Sequence, residues 1–149
     1  MEKNLIIGGF TNYGINELKP WVLSAKEVAG DNDVVLIAGK TTEETIKWLQ
    51  NQGIIVVPMA QSQTVPVHVL RFLSIYEYLR NNWAKYRFVV TTDVKDVYFQ
   101  LDPFDYIEKS MPPGSTTKLI IASEGLRYKD EPWGDENLKQ AYGSYVYEE

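Results

Sequence analysis

With 149 residues, 44 % of them hydrophobic and 13 % aromatic, the chain has apolar material for one substantial core, and a single domain over 1–149 is expected. A net charge of −5 and a pI near 5.0 argue against broad nucleic-acid binding, which needs a basic footprint. The absence of cysteine excludes disulfide frameworks, thiol catalysis and Cys-ligated zinc; no segment approaches the roughly 18 apolar residues of a membrane span, so a soluble, cytoplasmic protein is expected.

From the amino terminus, residues 4–9 read as a short buried strand that ends in Gly8-Gly9, residues that permit tight turns and close approach of a ligand to the backbone. Residues 10–14 form the first crossover loop. Gly9 and Gly14 have the separation of a phosphate-binding P-loop, but Ile15-Asn16 stands where Lys-Ser/Thr is required, and the Rossmann G-x-G-x-x-G is absent too. Ile15, Leu18, Val22, Ala25 and Val28 recur at helical spacing, with Pro20 expected in the opening turn and Gly30 as the stop.

A second strand covers 33–38. The Gly39-Lys40-Thr41 that follows would need glycine at position 34 to be a P-loop, and Val34 is there instead. Thr41 and Glu44 read as a capping box for a helix through Gln52, closed by Gly53. Residues 54–58 form a third strand. A helix from about 66 to 83 comes next, with Pro66 in its first turn. Its expected buried stripe is Val69, Phe72, Leu73, Tyr76, Leu79 and Trp83, with Arg71 well off that stripe. His68, the only histidine, is assigned no role.

A fourth strand over 88–92 completes an alternation of strands and helices. Such alternation predicts right-handed crossovers and a mainly parallel sheet covered on both faces: an α/β fold, a Rossmann-like three-layer α/β/α sandwich. The fourth strand delivers Asp93 and Asp96 to its carboxyl end, where ligand sites gather in open α/β sheets. On a continuous strand, side chains three residues apart point to opposite faces, so the strand is expected to break at Val94-Lys95 and let both carboxylates turn into one crevice. Two carboxylates on a tight turn suit Mn²⁺ or Mg²⁺, hard ions that fill their remaining positions with water and phosphate oxygens, and a diphosphate is the natural partner. The plain alternative makes Asp93 a turn former and Asp96 a solvated loop charge. The apolar strand before, Val97-Tyr98-Phe99 after and Asp102-Pro103-Phe104 beyond favour the metal site.

Asp102-Pro103-Phe104 opens a short helical turn through Lys109, stopped by Met111-Pro112-Pro113-Gly114. A fifth strand is expected over 118–122, ending in Ser123-Glu124-Gly125. Glu124 at that strand end is either a base that activates an acceptor hydroxyl or a charged loop residue. A last short helix is expected from about 135 to 142.

The segment Thr92-Asp93-Val94-Lys95-Asp96-Val97-Tyr98-Phe99-Gln100-Leu101-Asp102-Pro103-Phe104 resembles the metal-binding segment of nucleotide-sugar glycosyltransferases of the GT-A fold, whose usual form is D-x-D. Here the spacing is D-x-x-D, with Val94 where many relatives have the first Asp. The resemblance implies a metal-dependent transferase that moves a sugar from a nucleoside diphosphate donor, a UDP-sugar, to a hydroxyl acceptor. It implies Asp96 as direct metal ligand, Asp93 on the metal or on a ribose hydroxyl, and Arg71 on the nucleotide. It also implies that Gly9, Phe10, Thr11 and Tyr13 of the first loop line the base. The likeness covers the nucleotide-binding portion of such an enzyme, so a carboxyl-terminal acceptor portion is expected to be missing. Two other functions stay open. A sugar nucleotidyltransferase would place a glycine-rich, basic signature after the first strand, and Gly8-Gly9-Phe10-Thr11 lacks the basic residue. A non-catalytic nucleotide-binding domain would bind the donor without transfer.

Overall fold

A computed structural model describes residues 2–117, 119–122, 125 and 127–146. Two compact units make up the chain, residues 1–112 and 113–149. The first is a parallel sheet of four strands with helices on both faces: β1 (Lys3–Phe10), α1 (Ile15–Ala29), β2 (Asp33–Ala38), α2 (Glu43–Asn51), β3 (Ile55–Pro58), α3 (Val67–Asn82), β4 (Tyr86–Thr92) and α4 (Pro103–Ser110). The strand order is β3-β2-β1-β4, and every pairing is parallel.

Alternation along the central strands sets up two cores. Ile6, Val34 and Leu36 point to one face, where Leu18, Trp21 and Val22 of α1 and Leu49 of α2 cover them. Leu5, Ile7, Val35 and Ile37 point to the other, beneath Leu70 and Ile75 of α3. This division follows from topology. The chain advances from β1 outward to β3, then reverses and crosses to the far side of β1, so a right-handed connection must put α3 on the opposite face from α1 and α2. The reversal falls between β1 and β4, and that point is where open α/β sheets leave a crevice outside their carboxyl ends.

Several local expectations are corrected. The helix α2 is capped by Thr42, whose Oγ1 accepts from the Thr45 amide at 3.2 Å. Thr41 instead donates its hydroxyl to the Tyr13 carbonyl at 2.8 Å, tying the two crossover loops together. Pro20 lies beyond the opening turn of α1, on the exposed side, where the missing amide proton leaves no buried carbonyl stranded.

The stripe expected to be buried on α3 is largely on its outer side: Val69, Phe72, Leu73 and Tyr76, with Trp83 just past the helix end, are exposed, while Leu70, Ser74 and Ile75 face the sheet. Helical periodicity identified an apolar face correctly. It could not tell which of two apolar faces the sheet would take. Ser74 is accommodated because its hydroxyl accepts from the Ala60 amide at 2.9 Å.

The second unit contains a 3-10 turn (Tyr128–Asp130) and α5 (Pro132–Tyr142), which starts earlier than expected because Glu131 caps the Trp133 and Gly134 amides. Residues 119–122 form no strand. The run Leu119-Ile120-Ile121 is apolar enough for one, but no strand is present among the described residues of this unit to provide a ladder. Glu124, the candidate base, lies outside the described residues.

Candidate functional site

Four short segments converge at the carboxyl end of β1 and β4 and enclose a cavity of about 300 Å³. It is lined by Gly9, Phe10, Thr11 and Tyr13 from the end of β1 and its loop, Met59 after β3, Val67, His68 and Arg71 from the first turns of α3, and Asp93 through Asp96 after β4. All of the residues singled out in the sequence around the acidic turn, the first loop and Arg71 are brought to one place.

The acidic turn is built by one buried peg. β4 ends at Thr92 and the chain bends at 94–96, where the pattern placed the break. Val94 turns inward and is 2 % exposed, while Asp93, Lys95 and Asp96 point outward. Gly8 makes this possible. A Cβ there would lie 2.5 Å from Val94 Cγ2 and 3.2 Å from the Thr92 carbonyl oxygen. Val94 is thus a hydrophobic anchor between the two carboxylates of the turn.

Both flanks of the turn are tied to α1 and α4. The buried Trp21 indole donates to Thr92 Oγ1 at 2.9 Å, holding the end of β4. Ser24 Oγ accepts from the Phe99 amide at 3.1 Å, and the Phe99 ring meets Trp21 edge-on with centroids 6.0 Å apart. Further on, Asp102 caps α4 by accepting from the Phe104 amide at 2.8 Å, and Phe104 enters the core. The Asp102-Pro103-Phe104 phrase is therefore structural: a cap, a first-turn proline and a core anchor.

The first loop is braced by the loop after β2. The Asn12 amide donates to the Lys40 carbonyl at 2.7 Å, the Gly39 amide to the Phe10 carbonyl at 2.8 Å, and Thr11 Oγ1 accepts from the Lys40 amide at 3.1 Å. Asn12 takes a left-handed conformation, φ 59°, a region that Asn enters more readily than most residues. Phe10 is 2 % exposed and belongs to the core, so its ring supports Tyr13, stacked on it at 6.5 Å, in place of meeting a ligand face. Tyr13 is half-buried, and Lys95 Nζ lies 5.8 Å from its ring centroid.

Arg71 and Asp93 form an ion pair across the cavity, from Nη1 to Oδ1. The aliphatic part of Arg71 lies over Gly9, where a Cβ would come within 2.5 Å of its Cγ. The space that Gly9 leaves open is taken by the arginine, not left bare for a ligand. Asp96 has no hydrogen-bond or ion-pair partner among the described residues. Val67 and His68 begin α3, and no side chain caps that end.

Lys95, His68 and Met59 were not foreseen as site residues. Lys95 was within reach, as a cation between two acids on an exposed turn; nothing in the sequence places Met59 or His68 beside it.

Asp93 and Asp96 are the side chains on this rim that could hold a small divalent ion. Among the described residues no cluster of three or more His, Asp or Glu side chains forms a closed cage. Two carboxylates on one rim are what Mg²⁺ or Mn²⁺ takes when phosphate oxygens and water complete its shell.

No family model matches the chain, and neither the curated proteins nor the solved structures compared with it contain a match.

Proposed function

We propose that the chain is the nucleotide-sugar-binding portion of a metal-dependent glycosyltransferase of the GT-A type, which moves a sugar from a nucleoside diphosphate donor, a UDP-sugar, to a hydroxyl acceptor. The observation that carries this reading is the meeting of Asp93, Asp96, Arg71 and Lys95 around one cavity at the switch point between β1 and β4. Two anions for a cation and two cations for an anion suit a metal diphosphate better than either part alone.

Asp96, unpaired and exposed, would hold the ion, with Asp93 beside it. A bound Mn²⁺ or Mg²⁺ supplies Lewis-acid neutralisation of the charge that grows on the departing diphosphate. Arg71 and Lys95 act on the same charge from the protein side, and the uncapped amide groups at the start of α3 add a favourable dipole. Tyr13, backed by Phe10 and braced through Thr41, offers a rigid aromatic wall for the base. Thr11 has its hydroxyl engaged with Lys40, so its part is to hold the loop.

Arg71 engages one oxygen of Asp93, Oδ1, so Oδ2 is available to an ion while the guanidinium keeps other N–H groups for a phosphate oxygen. Calorimetry with UDP and UDP-sugars, with and without Mn²⁺, tests the reading. Binding that strengthens with Mn²⁺ is expected. Binding indifferent to the ion, and unchanged in Asp96→Ala, would overturn it. Product analysis then separates transfer, which releases a nucleoside diphosphate, from nucleotidyl transfer, which releases pyrophosphate.

A further inference from the structure

The helix α3 is apolar on two opposite sides. Leu70 and Ile75 meet the sheet, yet Val69, Phe72, Leu73, Tyr76 and Trp83 remain 40–71 % exposed. Val69, Phe72, Leu73 and Tyr76 recur at intervals of three and four residues, so they form one stripe along the first turns of the helix; Arg80 takes the next position on that face, and Trp83 follows just past the helix end. A helix apolar on two opposite sides has a face on each that gains by being covered.

We infer that this stripe is the interface of a symmetric dimer, in which α3 of one copy packs on α3 of a second copy of this chain. Two observations point to a second copy. The first is area: the five side chains expose on the order of 600 Å² per copy, so a two-fold contact would bury at most about 1,200 Å², the lower end of stable protein interfaces. The second is self-complementarity. A two-fold contact needs a surface that fits itself, and a stripe of large side chains packs best against another such stripe. Among the described residues of 1–112, α3 is the one helix with an exposed apolar stripe; of the other large exposed apolar residues, Val67 sits at the start of α3 beside the cavity, and Leu23, Ile55, Val89, Tyr98, Leu101 and Tyr106 are dispersed over different elements.

The flanks of the stripe are polar. Glu77 at its side and Arg80 at its carboxyl-terminal end form an exposed ion pair at 3.6 Å, which places the rim of the interface past Tyr76. The dimer also bears on the site. Arg71 sits on the inner side of the same helix, so packing the outer side would fix the element that carries the cavity's principal cation. The dimer does not depend on the transferase reading, since it rests on the outer face of α3 alone.

The chain contains no cysteine, so a single one can be introduced as a reporter. Tyr76 lies on the stripe, and Lys47 lies exposed on α2, on the opposite face of the sheet. Mild oxidation of Tyr76→Cys at micromolar concentration is expected to give a disulfide-linked dimer, and Lys47→Cys is expected to stay monomeric. Sedimentation velocity of the unmodified full chain should show a concentration-dependent dimer. In Phe72→Asp its dissociation constant should rise about 30-fold or more, the scale of a hot-spot truncation, with the far-UV circular dichroism unchanged. A chain monomeric across the micromolar range, with no preferential crosslinking at position 76, overturns the proposal. Slow alkylation of the introduced thiol in a monomeric sample of Tyr76→Cys also overturns it, because the face would then be covered by another part of the same chain.

Discussion

The two ends of the sheet treat their polar groups in opposite ways. At the amino end, Asp33 accepts from Lys3 at 2.7 Å and from the Tyr86 hydroxyl at 2.9 Å, and Tyr86 shares a further hydrogen bond with Tyr78. Asn4 adds a second stitch, its amide donating to Asn32 Oδ1 and its own Oδ1 accepting from the Phe88 amide. These bonds join β1, β2, β4 and α3 side to side. At the carboxyl end the peptide turns outward, Asp96 has no partner among the described residues, and the Arg71–Asp93 ion pair spans a cavity. The same four strands supply both ends. What differs is whether the flanking side chains are satisfied by each other or left with binding capacity, and that separates groups that hold the fold from groups that can act on a ligand.

Asp96→Ala strikes at the open end and should have the largest effect. Loss of the unpaired carboxylate is expected to weaken Mn²⁺-dependent UDP binding on the order of 100-fold, about 2.7 kcal/mol, measured by calorimetry. Because Asp96 supports no other group, the thermal midpoint should not fall. A variant that binds normally but unfolds early would reverse the roles assigned to the two ends.

Gly8→Ala tests how the open end is anchored. The added methyl group would meet Val94 and the Thr92 carbonyl, and overpacking of that kind costs about 2 kcal/mol, readable by urea denaturation. Binding should weaken along with stability, since the methyl displaces the peg that turns Asp93 and Asp96 outward. Undiminished stability would mean that Val94 is not the anchor.

The sheet and its open end were legible in the sequence, and the closed end was not. Strand-helix alternation revealed β1 to β4 and a mainly parallel sheet, though not the strand order, because buried strands and amphipathic helices carry strong periodic signals. The acidic turn stood out because an apolar run led directly into two carboxylates. What the sequence concealed were facts of long-range packing. No local pattern announces that Val94 fits over Gly8, that Arg71 occupies the space above Gly9, or that α3 presents Leu70 and Ile75 to the sheet and keeps Phe72 and Tyr76 outside. The closed amino end was invisible for the same reason. Lys3, Asp33, Tyr78 and Tyr86 are distant in sequence and ordinary in type, and only the register of β1 with β2 and β4 makes them neighbours.

Tyr86→Phe strikes at the closed end. Removing a hydroxyl that bonds to both Asp33 and Tyr78 should cost about 1 kcal/mol in chemical denaturation at neutral pH and leave UDP binding unchanged. The effect has a pH signature. Burial, then the bonds to Tyr78 and Asp33, push the Tyr86 hydroxyl above its ordinary value of 10.0. In the unfolded chain Tyr86 ionises near 10 while the folded protein still holds the proton, so this stabilisation is complete below that pH and declines above it. The stability gap between the native chain and Tyr86→Phe should therefore narrow as pH rises past 10. A gap that stays constant would show that the hydroxyl contributes through packing alone.

Lys3→Met should have the smallest effect, and it tests which bond at the closed end matters. Asp33 holds both Lys3 and Tyr86, but the Lys3 side chain is 54 % exposed and the Asp33 side chain 18 %. An ammonium that is largely hydrated gains little by pairing, and the attraction is screened by salt. The bond to Asp33 raises the Lys3 pKa, and the lysine is charged at neutral pH with or without that shift, so its substitution should add no pH dependence below about 9. No measurable change in the unfolding midpoint at physiological ionic strength is expected, with a small loss emerging only at low salt. Should Lys3→Met instead destabilise the chain as much as Tyr86→Phe, the amino end would be held by its exposed charge and not by its half-buried tyrosine. The distinction between a satisfied end and an open one would then have to be redrawn around solvent exposure.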